Sequence, residues 1–397
     1  MQSTIFRGNI VLTQFPFTDL TGTSLRPALV VSEGQIGQDI ILSAISSVIR
    51  DAEFDTDYII DTKHPEFILT GLRVKSVFRL HKLATVGRAI IIRRLGYIGP
   101  LLQDEINKLV IIPDGILYYL PYETLVMTEA GNSFEYLIKK YQVSYMPSVS
   151  ALMLIQTKNE EKGAFKGLLA FGDPIFQFKK KISSINKDLD NVLPETYITQ
   201  GFTFSSLPYS KKEVNMISKY FSKDRRFIYL GKDANKDNLK ARSNDNYQII
   251  HFACHSFLDE QQPIRSALIL SQDFDGLNDG ILQAREIYNM KLNANMVILS
   301  ACQTGKGALE KGEGFLGLQR VFFYSGARSV LSTLWSVHDK STAFFMEKYY
   351  GYLAEGYSKA SALCLTKQKM IQSKYSHPYY WASFVLNGEP DSKIIFH

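Results

Sequence analysis

Five stretches constrain the fold of this chain more than anything else in it. KLVIIPDG, GLLAFGDP, YQIIHFACH, NMVILSACQTG and RSVLSTLWS are apolar runs without polar alternation, each closing on small or polar residues. A strand with one wet face alternates, so a strand that does not alternate must be covered on both sides. Helical patterns separate these runs: SKKEVNMISKYF, GEGFLGLQRVFFYSGA and STAFFMEKYYGYLAEG. The order predicts an α/β domain over residues 107–397, with a mostly parallel central sheet and helices on both faces. Residues 176–210 are polar, with three lysines at 179–181, and are expected to form a long surface loop.

The first 106 residues have another texture. NIVLTQFPFTDL, PALVVSEG, DIILSAISSVI, YIIDT and RAIIIRRL are short β-branched runs separated by turn residues, as in a small, mostly β barrel. GPLLQDEINKL reads as a short helix leading onward, with Pro100 near its first turn. The two domains are therefore expected at 1–106 and 107–397. Residues 1–106 hold 11 Lys and Arg against 11 Asp and Glu, so the net charge of +6 belongs to the remainder. The neutral part is nevertheless segregated. Asp51, Glu53, Asp55, Asp57, Asp61 and Glu66 precede a run from Arg73 to Arg94 with seven basic residues and no acid. That run reads either as solvated strand faces that discourage edge pairing or as a surface for a polyanion. No stretch is apolar enough to span a bilayer, since RAIIIRRLGYIGPLL is broken by Arg93, Arg94, Gly96 and Pro100. The amino terminus lacks the layout of an export signal. Three cysteines make no disulfide framework, and a reducing cytoplasm is the expected compartment.

In an open parallel sheet, sites form at the carboxyl ends of strands. Two runs end there in reactive groups: YQIIHFACHS delivers His255, and NMVILSACQTG delivers Cys302. A cysteine nucleophile needs a nearby base, which a histidine supplies through adjacency in space. The glycines of QTGKG allow a tight loop whose backbone N–H groups face a developing oxyanion. The alternative for any cysteine in an apolar strand is packing. Cys254 points to the face opposite His255, Cys364 sits in the helical SKASALCLTKQKM, and His251 precedes the end of its strand; all three read as core. No Cys/His set has zinc spacing, and no metal or organic cofactor is indicated.

IIPDGILYYLPYETL, GDP, LPYSKKEV, IIHFACHS, VILSACQTGKG, GEGFLGLQRVFFYSGARSVLSTLWSVHD and HPYYWASFVLNG together resemble the CHAT domain, a caspase-like cysteine peptidase family related to separase. The likeness runs over about residues 107–397 in family order. It implies a caspase-like fold with His255 and Cys302 as a catalytic dyad. The oxyanion would be held by the backbone N–H groups of Ser256 and Cys302. The family places glycine where this chain has Ser256, which keeps the N–H but adds a side chain. LWSVHDKST is similar to a separase stretch in which an aspartate receives a basic side chain, which would make Asp339 the wall of a pocket for Arg or Lys before the scissile bond. The other reading of Asp339 is a cap for the helix beginning near Lys340.

RGNIVLTQFPFTDLTGTSLRPALVVSEG, DIILSAISSVI and RRLG resemble the PemK/MazF toxins, small SH3-like barrels that cut single-stranded RNA without a metal. The likeness covers about residues 6–105. The family's catalytic arginine maps to Arg26 and its hydroxyl partner to Ser46, where serine replaces threonine. A guanidinium suits the charge of a pentacoordinate phosphate, and a hydroxyl adds one hydrogen bond. Without the resemblance, Arg26 reads as a loop arginine pairing with an acid such as Asp19. The fusion implies a two-effector defence or stress module. Its expected partners are proteins or peptides with basic residues, an antitoxin or other inhibitor, single-stranded RNA, and a second copy paired through the barrel. Self-cleavage would fall near Arg93, Arg94, Lys108 or Lys179 to Lys181. The competing readings are a peptidase with a non-catalytic RNA- or partner-binding barrel, and a degenerate scaffold.

Overall fold

The structure is a computed structural model. It describes residues 5–16, 23–31, 39–49, 57–106, 108–113, 115–130, 133–148, 165–175, 207–259, 262–272, 280–300, 302–303 and 313–396. The chain forms two compact units, Met1–Lys108 and Leu109–His397.

Among the described residues the first unit holds six strands: β1 (Asn9–Pro16), β2 (Thr23–Val30), β3 (Asp39–Ser46), β4 (Asp57–Ile60), β5 (Ser76–Gly87) and β6 (Ile91–Tyr97). They form one sheet in the order β4-β5-β3-β2-β1-β6, and every pairing is antiparallel. Successive residues feed opposite faces, as the pleat requires. Ile10, Leu29 and Ile45 enter one apolar cluster, while Val11, Ala28, Val30 and Ala44 enter another. The short helix α1 (Pro100–Ile106) follows, with Leu102 and Ile106 in the first cluster. Pro100 stands at its first position. The Glu66 carboxylate accepts from Leu101 N at 3.1 Å and Leu102 N at 2.8 Å, satisfying donors that a helix start leaves open.

The second unit is built on a sheet of eight strands. They are β7 (Lys108–Ile111), β10 (Gln142–Tyr145), β11 (Lys166–Gly172), β12 (Arg226–Leu230), β13 (Tyr247–Ala253), β17 (Ala294–Leu299), β19 (Ser329–Thr333) and β20 (Phe384–Gly388), in the order β12-β11-β13-β17-β19-β20-β10-β7. Strands β12, β11, β13, β17 and β19 run parallel, and β20 returns antiparallel to β19. A hairpin of β8 (Val126–Ala130) and β9 (Ser133–Tyr136) stands apart. A second sheet holds β14 (His255–Phe257), β15 (Ala267–Ile269), β16 (Ile281–Gln283) and β18 (Cys302–Gln303), in the order β16-β15-β14-β18.

Among the described residues the α-helices of this unit are α2 (Pro208–Ile217), α3 (Lys236–Arg242), α4 (Ala284–Tyr288), α5 (Glu313–Tyr324), α6 (Asp339–Ala354) and α7 (Lys359–Ile371). Two cores explain the unbroken apolar runs. Leu169, Phe171, Ile250, Phe252, Val297 and Leu299 pack on one sheet face with Leu239 of α3, Ile287 of α4 and Phe322 of α5. Leu168, Ala170, Ile249, Ala253, Met296 and Ile298 pack on the other with α2, α6 and α7. Two expectations need correction. KLVIIPDG was expected among the buried strands, but β7 is an edge strand with Val110 40% exposed. The polar segment read as a loop through 210 ends sooner, because Pro208 starts α2 and suits a first-turn position. Lys179 to Lys181 lie outside the described residues.

Candidate active site

Strand β13 ends at Ala253, the chain bends at Cys254, and β14 begins at His255. Strand β17 ends at Leu299, and β18 begins at Cys302. In the main sheet Phe252 pairs with Leu299, and three residues further along both strands His255 pairs in parallel with Cys302. The register imposed by buried apolar residues thus carries through to the reactive positions. Paired positions share a sheet face, and neighbouring strands lie about 4.8 Å apart. The backbone therefore sets residues 255 and 302 side by side. The His255 side chain is enclosed, at 2% exposure. Ser256 pairs with Gln303 on one side and Leu268 on the other, so its N–H lies within a strand flanked on both edges.

The neighbouring candidates fall into the core. Cys254 is fully buried in the cluster of α3, α4 and α5. Cys364 packs against the opposite sheet face, its thiol donating to Ile138 O at 3.3 Å. His251 is enclosed with both ring nitrogens engaged, Nδ1 with Tyr350 Oη at 3.0 Å and Nε2 with Glu213 Oε1 at 2.8 Å.

Asp339 opens α6, but the cap of that helix is His338, whose Nδ1 accepts from Lys340 N at 3.3 Å. The capping alternative for Asp339 is thereby corrected. Its own Oδ2 accepts from Tyr209 N at 2.8 Å, in the first turn of α2. Burial holds this carboxyl above the usual carboxylate range against the Tyr209 N–H, and the charges of Glu213 and Asp173 add to the rise. Asp173, in the GDP turn after β11, is a residue that sequence reasoning passed over. It has φ +53°, and among the described residues it is the sole non-glycine with positive φ. Its N–H donates to Ser210 Oγ at 2.8 Å. The start of α2 is thus tied to the loops after both β11 and β19.

In the first unit, β2 and β3 pair Ala28 with Ala44. Arg26 and Ser46 each lie two residues beyond the last paired positions, toward the strand ends, and Arg26 pairs with Thr13 of β1. Both positions then share the face of Ala28 and Ala44. Ser46 Oγ also accepts from Val48 N at 3.1 Å. Asp19 lies outside the described residues. The charge segregation resolves into pairs: Arg79 bonds Asp57 at 2.9 Å within the fold, and Lys75 meets Asp61 at 3.2 Å. Glu66 is committed to α1, and Arg88 donates to Ile5 O at 2.7 Å. Arg73, Arg93 and Arg94 remain exposed. Among the described residues no group of three or more His, Cys, Asp or Glu is placed to hold a metal ion, and no helix is long and apolar enough to cross a membrane.

A mixed sheet with helices on both faces, bearing histidine and cysteine at adjacent strand ends, defines the second unit as a caspase-like α/β domain. The chain belongs to the CHAT domain family, whose model matches residues 81–389, and its residues 6–112 match the PemK-like, MazF-like toxin of type II toxin-antitoxin system. It is similar to tetratricopeptide repeat protein 28 of Homo sapiens, 23% identical over 320 residues. That match covers 71% of this chain and 12% of the relative, so the chain spans about an eighth of the relative's length. The Saccharomyces cerevisiae separase–securin complex superimposes with a TM-score of 0.38 at 16% identity, covering 69% of this chain and 15% of that one. The Arg specific cysteine proteinase gingipain R gives a TM-score of 0.39 at 6% identity, covering 64% and 55%. A mycobacterial endoribonuclease in complex with its cognate antitoxin gives 0.21 at 16% identity, covering 26% of this chain and 88% of that one.

Proposed function

We propose that the chain is a cysteine endopeptidase that cuts after Arg or Lys, fused to a barrel that cleaves single-stranded RNA without a metal. The observation that carries the peptidase reading is the backbone register placing His255 beside Cys302. In this reading the Cys302 thiol gives its proton to His255, and the thiolate attacks the scissile carbonyl. The oxyanion takes N–H donors from Cys302 and Ser256. For Ser256 to serve, its N–H must be released from the sheet that flanks β14 on both edges. Collapse expels the amine, protonated by the imidazolium, and leaves a thioester. Water, deprotonated by His255, then hydrolyses the thioester and frees the thiol. Asp339 supplies the carboxylate for the basic side chain, where a charge-assisted contact in a partly dry pocket selects Arg or Lys.

For the barrel, Arg26 stabilises the phosphorane charge and Ser46 adds a hydrogen bond; the two belong to the neighbouring antiparallel strands β2 and β3. The wider setting in this reading is a defence or stress module in the cytoplasm, with an antitoxin as inhibitor and a homodimer formed through the barrel.

Incubating the full chain with Arg- and Lys-containing peptides tests the peptidase. Cleavage is expected, with a loss of at least about a thousandfold in Cys302→Ala and in His255→Ala. Cleavage that persists in Cys302→Ala ends the assignment. RNA cleavage is expected to vanish in Arg26→Ala while peptide cleavage continues. RNA bound but left intact by the wild type converts the barrel to a binding module.

A further inference from the structure

We propose that Trp335 and Tyr379 form an aromatic subsite that receives an apolar side chain of the peptide, two or three residues from the bond that is cut. This inference rests on the peptidase reading and adds a substrate preference to it.

The sheet order supplies the geometry. Strands β13, β17, β19 and β20 are consecutive neighbours. His255 and Cys302 stand beyond the carboxyl ends of the first two, and Trp335 lies just past the end of the third, which closes at Thr333. Strand β20 runs the opposite way, with its first residue, Phe384, paired to Thr333. The segment that enters β20 therefore reaches the same edge of the sheet, and it carries Tyr379. Groups along this edge follow one another at about 4.8 Å per strand. An extended peptide advances about 3.3 Å per residue, so one laid across the edge at Cys302 meets the aromatic pair two or three residues away.

The pair is a built surface. Trp335 Nε1 donates to Tyr379 O at 3.0 Å, and Tyr379 Oη donates to Ser336 O at 2.8 Å. These reciprocal bonds hold the two loops together, and Trp335 also packs against the apolar clusters on both faces of the sheet. Tyr379 is 44% exposed, and Trp335 is partly buried. The other tryptophan of the chain, Trp381, is fully buried and serves the core. Behind Tyr379, the rings of Tyr380, Tyr375 and Phe344 form a continuous series with centroid spacings of 5.4 to 5.6 Å. Lys340 is exposed beside this rim, and the neighbouring Asp339 carboxylate is engaged by Tyr209 N at 2.8 Å. Leu, Met or Phe fits best, because aromatic surface rewards apolar burial.

The test uses the full chain and peptides with one Arg, in which Phe, Leu, Ala or Asp is scanned through the second and third positions on each side of the cut. Cleavage is measured with the wild type. Binding is measured with Cys302→Ala, by peptide anisotropy and by Trp335 emission, which acrylamide distinguishes from that of buried Trp381. At one scanned position Phe or Leu is expected to raise kcat/KM and affinity about tenfold over Asp. That preference is expected to disappear in Trp335→Ala and to survive largely in Trp335→Phe. A flat scan in a wild type that cleaves well overturns the subsite and leaves the peptidase reading standing. An equal loss for all peptides in Trp335→Ala overturns it as well. Absence of both cleavage and binding overturns the two readings together.

Discussion

At the scale of single residues, the buried ionic groups divide into those that hold the fold and one that the fold tolerates at a cost. Lys367 and Glu123 are fully buried and bonded to each other, with Tyr145 Oη also donating to Glu123. Lys367→Met is expected to cost about 3–5 kcal/mol, because it strands a buried carboxylate, whereas replacing both residues by Met costs much less. Denaturant midpoints of the two variants check this. Lys359 and Glu389 pair at 2.9 Å. Burial alone would raise Glu389, but Lys359 and Ser392 hold it at about 2, below its ordinary 4.5. Its stabilising contribution is therefore complete above about pH 4.5 and lost as pH falls toward 2, a slope that Glu389→Gln is expected to remove from acid unfolding curves. Lys359 is brought down to about 8 by burial, so its contribution to stability rises between about pH 8 and 10.5. Asp339 behaves differently, since burial disfavours its charge. Asp339→Asn keeps an acceptor for Tyr209 N and removes that charge. A melting temperature equal to or above the wild type's, with the Arg/Lys preference lost, is the expected signature of a group kept for binding.

At the scale of elements, the first unit depends on close backbone approach between the turn at 67–71 and β6. A Cβ on Gly96 would stand 2.3 Å from Leu69 O and 2.4 Å from Thr70 C, and neither atom is the end of a flexible side chain. Gly96→Ala is expected to destabilise the first unit by at least about 1–3 kcal/mol, seen as a lower midpoint for its unfolding transition. Strand β6 also bears on self-processing. Arg93 and Arg94 pair with Leu12 and Val11 of β1. A peptidase needs its substrate strand free, so cutting there requires β6 to leave the sheet. Mass mapping of termini after incubation is expected to show no Cys302-dependent cut at 93 or 94 under native conditions, and such cuts only where the first unit is partly unfolded.

At the scale of the molecule, the two units have separate cores. The first unit offers a short six-stranded sheet, and the second a larger sheet clad on both faces. Cores that share no cluster are expected to unfold in two transitions, with Gly96→Ala moving one and Lys367→Met the other. A single cooperative transition shifted equally by both variants would contradict this independence.

Much of this was legible along the chain. Unbroken apolar runs announced strands covered on both faces, and short β-branched runs between turn residues announced the small β domain, because burial and backbone preference act on each residue where it stands. The ends of YQIIHFACHS and NMVILSACQTG marked His255 and Cys302 for the same reason. Strand β5 was less visible, since its basic residues interrupt the β-branched pattern, although Val77 and Phe78 are fully buried. What only the tertiary structure decided was pairing between distant segments: 255 with 302, Arg79 with Asp57, and Asp339 with the start of α2. Such partners are selected by register and by the low dielectric of a shared interior, and neither exists until separate strands have met.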